Sequence, residues 1–260
     1  GTAPATQTPS AALFDTLAAR YGVAGDDQVG DDAAYKARII ELARALPPND
    51  AVRSARLDAY RCITIVDGPD AALTRAETGL AGRPAQREPL VRMEYLMCKA
   101  YALYNQGNRS EFIVPVNEVL RLASPEGHPR LRSGALYLRS FHESDQGRYA
   151  QALTTLREAL VLNRNREAPN AALRTEIMIA KTYIELGLNE RAIVVLRAIE
   201  RDARAAGQPG PLGMVLERLG QVEEQAGRLD AALANYREAA ALARLRGAND
   251  VHASLMLRIA

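Results

Sequence analysis

The residues of this chain best suited to chemistry are two cysteines, three histidines and a few adjacent carboxylates. Cys62 and Cys98 stand six and nine residues before Gly68 and Gly107 respectively. If the helices carrying them pack side by side, the two differ by about one turn in height, and that geometry permits a bridge. Two cysteines with none left over fit a disulfide in an exported protein. The alternative is a pair of buried thiols acting as small hydrophobes; the bridge is the favoured reading. His128, His142 and His252 are too dispersed to share a metal, and His142-Glu143 lacks the second histidine of a zinc-protease helix. Glu223-Glu224 and Asp26-Asp27 have no partner base and read as solvated charges. There is no glycine-rich phosphate loop, no G-x-S-x-G elbow and no carboxylate pair in an aromatic cleft. No catalytic residue, cofactor or metal is therefore expected, and the functional residues must be sought on a binding surface.

That surface depends on how the chain is punctuated. Glycine recurs at 107, 147, 187 and 227, and proline at 89, 129, 169 and 209, both in steps of 40 residues. A period of this size is the mark of a stacked array. Each cycle reads as two helices. The proline opens the first, where its missing N–H costs nothing, and the glycine closes it with a left-handed turn. A small residue stands seven before each glycine (Ala100, Ser140, Ala180, Gly220), and an apolar one nine after it (Val116, Leu156, Leu196, Tyr236). Five after it come Phe112, Ala152, Ala192 and Ala232, small in all cycles but one. Apolar spacing within the cycles is helical, and nothing alternates as a strand would. The predicted fold is all-α, a right-handed solenoid of helix pairs with a 40-residue period.

The expected organisation is a disordered leader over 1–9, capping helices over 10–48, five helix pairs over 49–248, and the first helix of a further repeat over 249–260. Met256, Ile259 and Ala260 there correspond to Leu216, Leu219 and Gly220 one cycle earlier. Ending inside a repeat with an open apolar face suggests a fragment of a longer protein, since terminal repeats need a polar cap. The start at Gly1, followed by a Pro/Thr/Ala stretch, suits either a trimmed end or the residues beyond a removed export signal.

In stacked pairs the first helices line the hollow side. Residues two, three, six and ten before each glycine should face it, giving Met97, Tyr101, Tyr104 and Asn105, then Tyr137 and Phe141 with Ser144 and Asp145. The next two cycles give Ile177, Lys181, Ile184 and Glu185, and Glu217, Gln221, Glu224 and Gln225. The strip passes from aromatic to acidic and amide-rich. Four of the thirteen aromatics fall in two adjacent cycles, a clustering typical of an anchor for a peptide, protein or small molecule. The alternative is that Tyr101 and Phe141 merely stack on each other between neighbouring helices. With a net charge of +2 and positive residues scattered along helix faces, nothing argues for nucleic acid, and no apolar run is long enough to span a membrane.

The segment VLERLGQVEEQAGRLDAALANYREAAALA resembles a tetratricopeptide repeat (TPR), through Leu216, Leu219, Gly220, Gly227, Ala232, Tyr236 and Ala239. Residues 136–160 and 179–196 resemble it too, although the period exceeds the family's usual 34 and Phe112 stands where alanine is expected. The resemblance covers roughly residues 50–260. More narrowly, these lengthened repeats, with Cys62 in RLDAYRCITIVDG and Cys98 in LVRMEYLMCKAYALYNQG, resemble the periplasmic sensor region of bacterial GGDEF diguanylate cyclases. That resemblance implies a sensory module, non-catalytic itself, feeding cyclic di-GMP synthesis by a domain outside this chain and reaching the membrane only through that missing part. It also implies a periplasmic location, with a homodimer as one arrangement. A cytoplasmic interaction scaffold, or the repeat region of a transcriptional regulator, is the alternative.

Overall fold

The computed structural model describes residues 9–24, 32–63, 68–245 and 247–259. Among them every regular element is a helix. Two N-terminal helices, α1 (Pro9–Ala24) and α2 (Asp32–Ala45), precede α3 (Ala51–Ile63), α4 (Pro69–Ala81) and the short α5 (Arg83–Arg87). Then come α6 (Pro89–Asn105) with α7 (Ile113–Leu122), α8 (Pro129–Asp145) with α9 (Tyr149–Asn165), and α10 (Pro169–Glu185) with α11 (Asn189–Ala205). The series closes with α12 (Pro209–Gln225), α13 (Leu229–Leu245) and α14 (Asn249–Ile259). Contacts run mainly between neighbours in sequence, as a solenoid requires. Of the leader expected over 1–9, residues 1–8 lie outside the described residues and Pro9 opens α1.

The punctuation acts as its chemistry dictates. Proline occupies the first turn of α6, α8, α10 and α12. Gly147 closes α8 with φ +71°; its N–H bonds the Ser144 carbonyl and the Arg148 N–H bonds that of Glu143, both at 2.9 Å. This paired bond is the Schellman closure, which satisfies carbonyls left open at a helix end. Gly187 and Gly227 repeat it after α10 and α12.

Two variations on the repeat follow from side-chain volume. At Gly220 a Cβ would meet the Tyr236 ring at 2.5 Å, so glycine there lets α13 lay a tyrosine flat on α12. Tyr236 is accordingly buried, where the two preceding cycles bury Leu156 and Leu196 at the equivalent position. The second variation is α7. It has 10 residues where α9, α11 and α13 have 17. Phe112 stands just before it, fully buried, its ring edge-on to Tyr104 at 5.4 Å. The phenylalanine fills the space that a small residue and a full helix start occupy elsewhere.

Candidate functional site: the concave groove

The first helices α6 and α8 carry Tyr101, Tyr104, Tyr137 and Phe141 to one shared surface, which α10 borders. Phe141 of α8 stacks on Tyr104 of α6 at 5.1 Å with the planes 29° apart, and meets Tyr137 edge-on at 4.8 Å. Such offset and edge-on geometries suit the quadrupoles of the rings. Phe141 therefore packs with Tyr104 and Tyr137, and Tyr101 takes a different role. It joins Tyr137 in walling a small cavity of about 60 Å³ between the N-terminal halves of α8 and α10.

Beyond the stacked rings lies a wider hollow of about 210 Å³, bounded by Tyr104, Phe141, Met178, Lys181 and the carboxylates of Asp145 and Glu185. Arg109 lies over the Tyr104 ring at 4.4 Å and reaches Asp145 at 3.7 Å. The groove thus has an aromatic middle flanked by two polar hollows.

Of the residues expected on the strip, Tyr101, Tyr104, Tyr137, Phe141 and Lys181 line these hollows. Met97 and Ile177 do not: only 3% and 6% exposed, they belong to the packed seams between helices. The Met97 methyl lies 3.2 Å from the point where a Cβ on Gly134 would stand, so it underlies the groove floor. Asn105 is exposed at the end of α6 and borders neither hollow. Glu217 and Gln221 both hold Arg218, the amide oxygen accepting from its guanidinium at 3.1 Å and the carboxylate lying at 3.7 Å.

The small cavity contains residues that the strip of spacings passed over. Arg130 of α8, Arg174 of α10 and Arg166 of the intervening turn all border it. Arg166 donates to the Asn163 side-chain oxygen at 3.0 Å, and the Asn163 amide donates to the Thr175 hydroxyl at 3.1 Å. Asn163 and Thr175 are buried, so this network fixes the guanidinium from beneath. Arg130 reaches the buried carboxylate of Glu94 at 3.3 Å, which Arg56 approaches from its other oxygen at 3.4 Å. Burial pushes the Glu94 carboxyl up against the pull of both arginines. Burial also pushes the Tyr137 hydroxyl up to about 12, opposed by the positive fields of Arg174 and Arg218.

The histidines and the Glu223-Glu224 pair read from sequence border neither hollow. His142 pairs with Gln146 at 2.8 Å and lies edge-on to Phe112; His252 contacts the Ala240 carbonyl at 2.9 Å. Glu223 is not a solvated charge: it is buried, 6% exposed, bonded to Arg228 and within 3.7 Å of Arg197. Glu224 accepts from the Tyr236 hydroxyl at 2.7 Å. Adjacency in sequence does not tell which way each carboxylate faces. Asp26 and Asp27 lie outside the described residues. Among the described residues no three His, Cys, Asp or Glu side chains converge as metal ligands, and no helix is long and apolar enough to cross a membrane. Cys98 is fully buried in α6 against Ala72 and Ala76 of α4; the side chain of Cys62 lies outside the described ones.

No family model matches the chain, and no curated protein sequence matches it. Among solved structures it is similar to aspartyl phosphate phosphatase F from Bacillus subtilis, with a TM-score of 0.61 and 13% identity over 98% of this chain and 80% of that one. It is also similar to a Signal Transduction ATPase with Numerous Domains that carries a tetratricopeptide repeat sensor, from Pyrococcus horikoshii. There the TM-score is 0.54 and the identity 15%, over 95% of this chain and 43% of that one. At such identities the likeness speaks for the fold alone. Together with the repeating helix pairs it shows a right-handed α-solenoid of TPR-like hairpins.

Proposed function

We propose that this chain is the sensory input region of a membrane-bound diguanylate cyclase, lying on the periplasmic side and binding a peptide, protein or small-molecule signal in its concave groove. The observation that carries the recognition role is the ring set Tyr104–Phe141–Tyr137, lying between two polar hollows on the hollow side of the solenoid. Rings arranged this way offer large apolar area at little cost in side-chain entropy, which is what binding anchors share. One structural neighbour has a tetratricopeptide repeat sensor among its domains, which is consistent with a signalling role.

The cellular side of the proposal rests on cysteine chemistry and repeat style. We assign the partner of Cys98 as Cys62, the chain's other cysteine. A buried structural bridge favours an oxidising compartment. A bound signal would shift the curvature of the stack or the arrangement of two copies, and pass that change to the catalytic domain, because such stacks couple neighbour to neighbour.

The test is thiol titration of the denatured protein, run beside a fusion of the native N-terminal coding region to a reporter active only after export. The proposal expects no titratable thiol before reduction, two after it, and an active reporter. Two thiols without reduction, with a silent reporter, would leave the cytoplasmic scaffold as the better account. Cyclase assays on the full-length product then separate a cyclase input region from other exported sensors.

A further inference from the structure

We propose that the small cavity between α8 and α10 is a seat for a compact oxyanion, a carboxylate or phosphate, carried by a ligand whose apolar part lies along Tyr137 and Phe141. The proposal rests on the reading of the groove as the binding surface and adds the chemistry of its occupant.

Three features carry it. First, the sign of the lining: Arg130, Arg166 and Arg174 border the cavity, and no carboxylate does. Guanidiniums present paired donors that match carboxylate and phosphate oxygens. Second, the size: a volume of about 60 Å³ holds a few waters or a small oxyanion, and is too small for a ring or an extended side chain. Third, the construction: Arg166 is fixed through Asn163 and Thr175, two buried polar side chains whose bonds with each other and with Arg166 run at 3.0–3.2 Å. A guanidinium held in place before the ligand arrives loses less freedom on binding.

The surroundings set the ligand's direction. Tyr137 borders the cavity and touches Phe141, so a group leaving the oxyanion seat meets an aromatic wall within one ring's width. The wider hollow beyond carries Asp145 and Glu185 against Arg109 and Lys181, two charges of each sign, and suits a polar tail. The fitting occupant is therefore polar at both ends, with its anion among the arginines and its apolar part on the rings.

Calorimetric titration of the 260-residue chain tests this with four probes: inorganic phosphate, acetate, phenyl phosphate and benzoate. Wild type should bind at least one of the two plain anions at millimolar concentration, more weakly as salt is raised. Phosphate alone points to a phosphorylated ligand, and acetate in addition to a carboxylate. Arg174→Gln and Arg130→Gln should each weaken that binding by about tenfold, the worth of a charge-assisted hydrogen bond. Arg191→Gln, an exposed change on the outer helix α11, should leave it unaltered. Circular dichroism and melting confirm that each variant folds. The aryl probes should bind more tightly than the plain anions, and Phe141→Ala should remove that advantage. No binding of phosphate or acetate, or equal binding by the arginine variants, overturns the oxyanion seat. Binding of plain anions with no aryl advantage leaves the seat standing and instead counts against the groove as an aromatic anchor.

Discussion

At the scale of single residues, the repeat is held by matched volumes across each hairpin. The smallest of the small residues, Gly220, lies beneath the largest partner, Tyr236, where the two preceding cycles hold Ser140 and Ala180 with Leu156 and Leu196 at the same positions. Gly220→Ala should destabilise by about 1–3 kcal/mol, because the buried Tyr236 ring cannot retreat without disturbing the seam. A second change, Tyr236→Leu, recreates the pairing of the preceding cycle and should recover much of that loss, giving a double-mutant coupling of opposite sign to the single effect. Thermal melting of the four proteins decides it; additive losses would mean that the two residues do not share the space. Glu94 gives a second prediction. Its folded carboxyl is raised above the ordinary 4.5 by burial, so ionising it costs the native state. Its contribution to stability is complete below the unfolded value and lost as pH rises through the folded one. The wild type should therefore gain in stability relative to Glu94→Gln as pH falls from neutral towards that range. A difference in melting temperature that does not vary with pH would contradict it. The small-residue series was legible because glycine, alanine and serine mark close approach in any register. The partner of each acid was not, because Glu223 and Glu224 are neighbours in sequence, yet one reaches Arg228 in the turn and Arg197 of α11 and the other accepts from Tyr236 of α13.

At the scale of elements, proline and glycine announced the first helices because both act on the backbone itself, one by fixing φ and the other by allowing it to be positive. The shortened α7 was not visible in this way. Its apolar spacing continues through the turn, and only the volume of Phe112 at a position otherwise held by alanine hints that a helix starts late. Phe112→Ala should cost about 3–5 kcal/mol, as the ring is fully buried among Tyr104, His142 and their neighbours. Equilibrium unfolding in urea measures it, and a loss below about 1 kcal/mol would show that α7 extends to refill the space. The arginines were missed for a related reason. Counting back from the closing glycine samples the later turns of each first helix, whereas Arg130 follows the opening proline of α8 directly and Arg174 lies in the first half of α10. Arg166 comes from the turn between repeats, where periodicity carries no information about direction.

At the scale of the whole molecule, the stack has no single centre. Separate apolar clusters serve α6–α8 and α10–α14, joined through smaller ones, so stability is a sum of neighbouring interfaces. A bridge from Cys62 to Cys98 would tie α3 to α6 and remove about 3–4 kcal/mol of chain freedom from the unfolded state. Reduction should speed hydrogen exchange in α3, α4 and α6 first and leave α10–α13 protected; uniform loss of protection would mean one cooperative unit. The same serial coupling is what would let a signal bound between α8 and α10 reach the last repeats. The most direct test of recognition in the groove is site-specific photo-crosslinking in cells of the source organism. A benzophenone side chain replaces Phe141 in the groove or Val194, exposed on the outer helix α11. The groove site should yield a discrete adduct, identified by mass spectrometry, that disappears when Arg174 is changed to glutamine. Adducts at Val194 with none at Phe141, or a groove adduct indifferent to Arg174, would contradict the account.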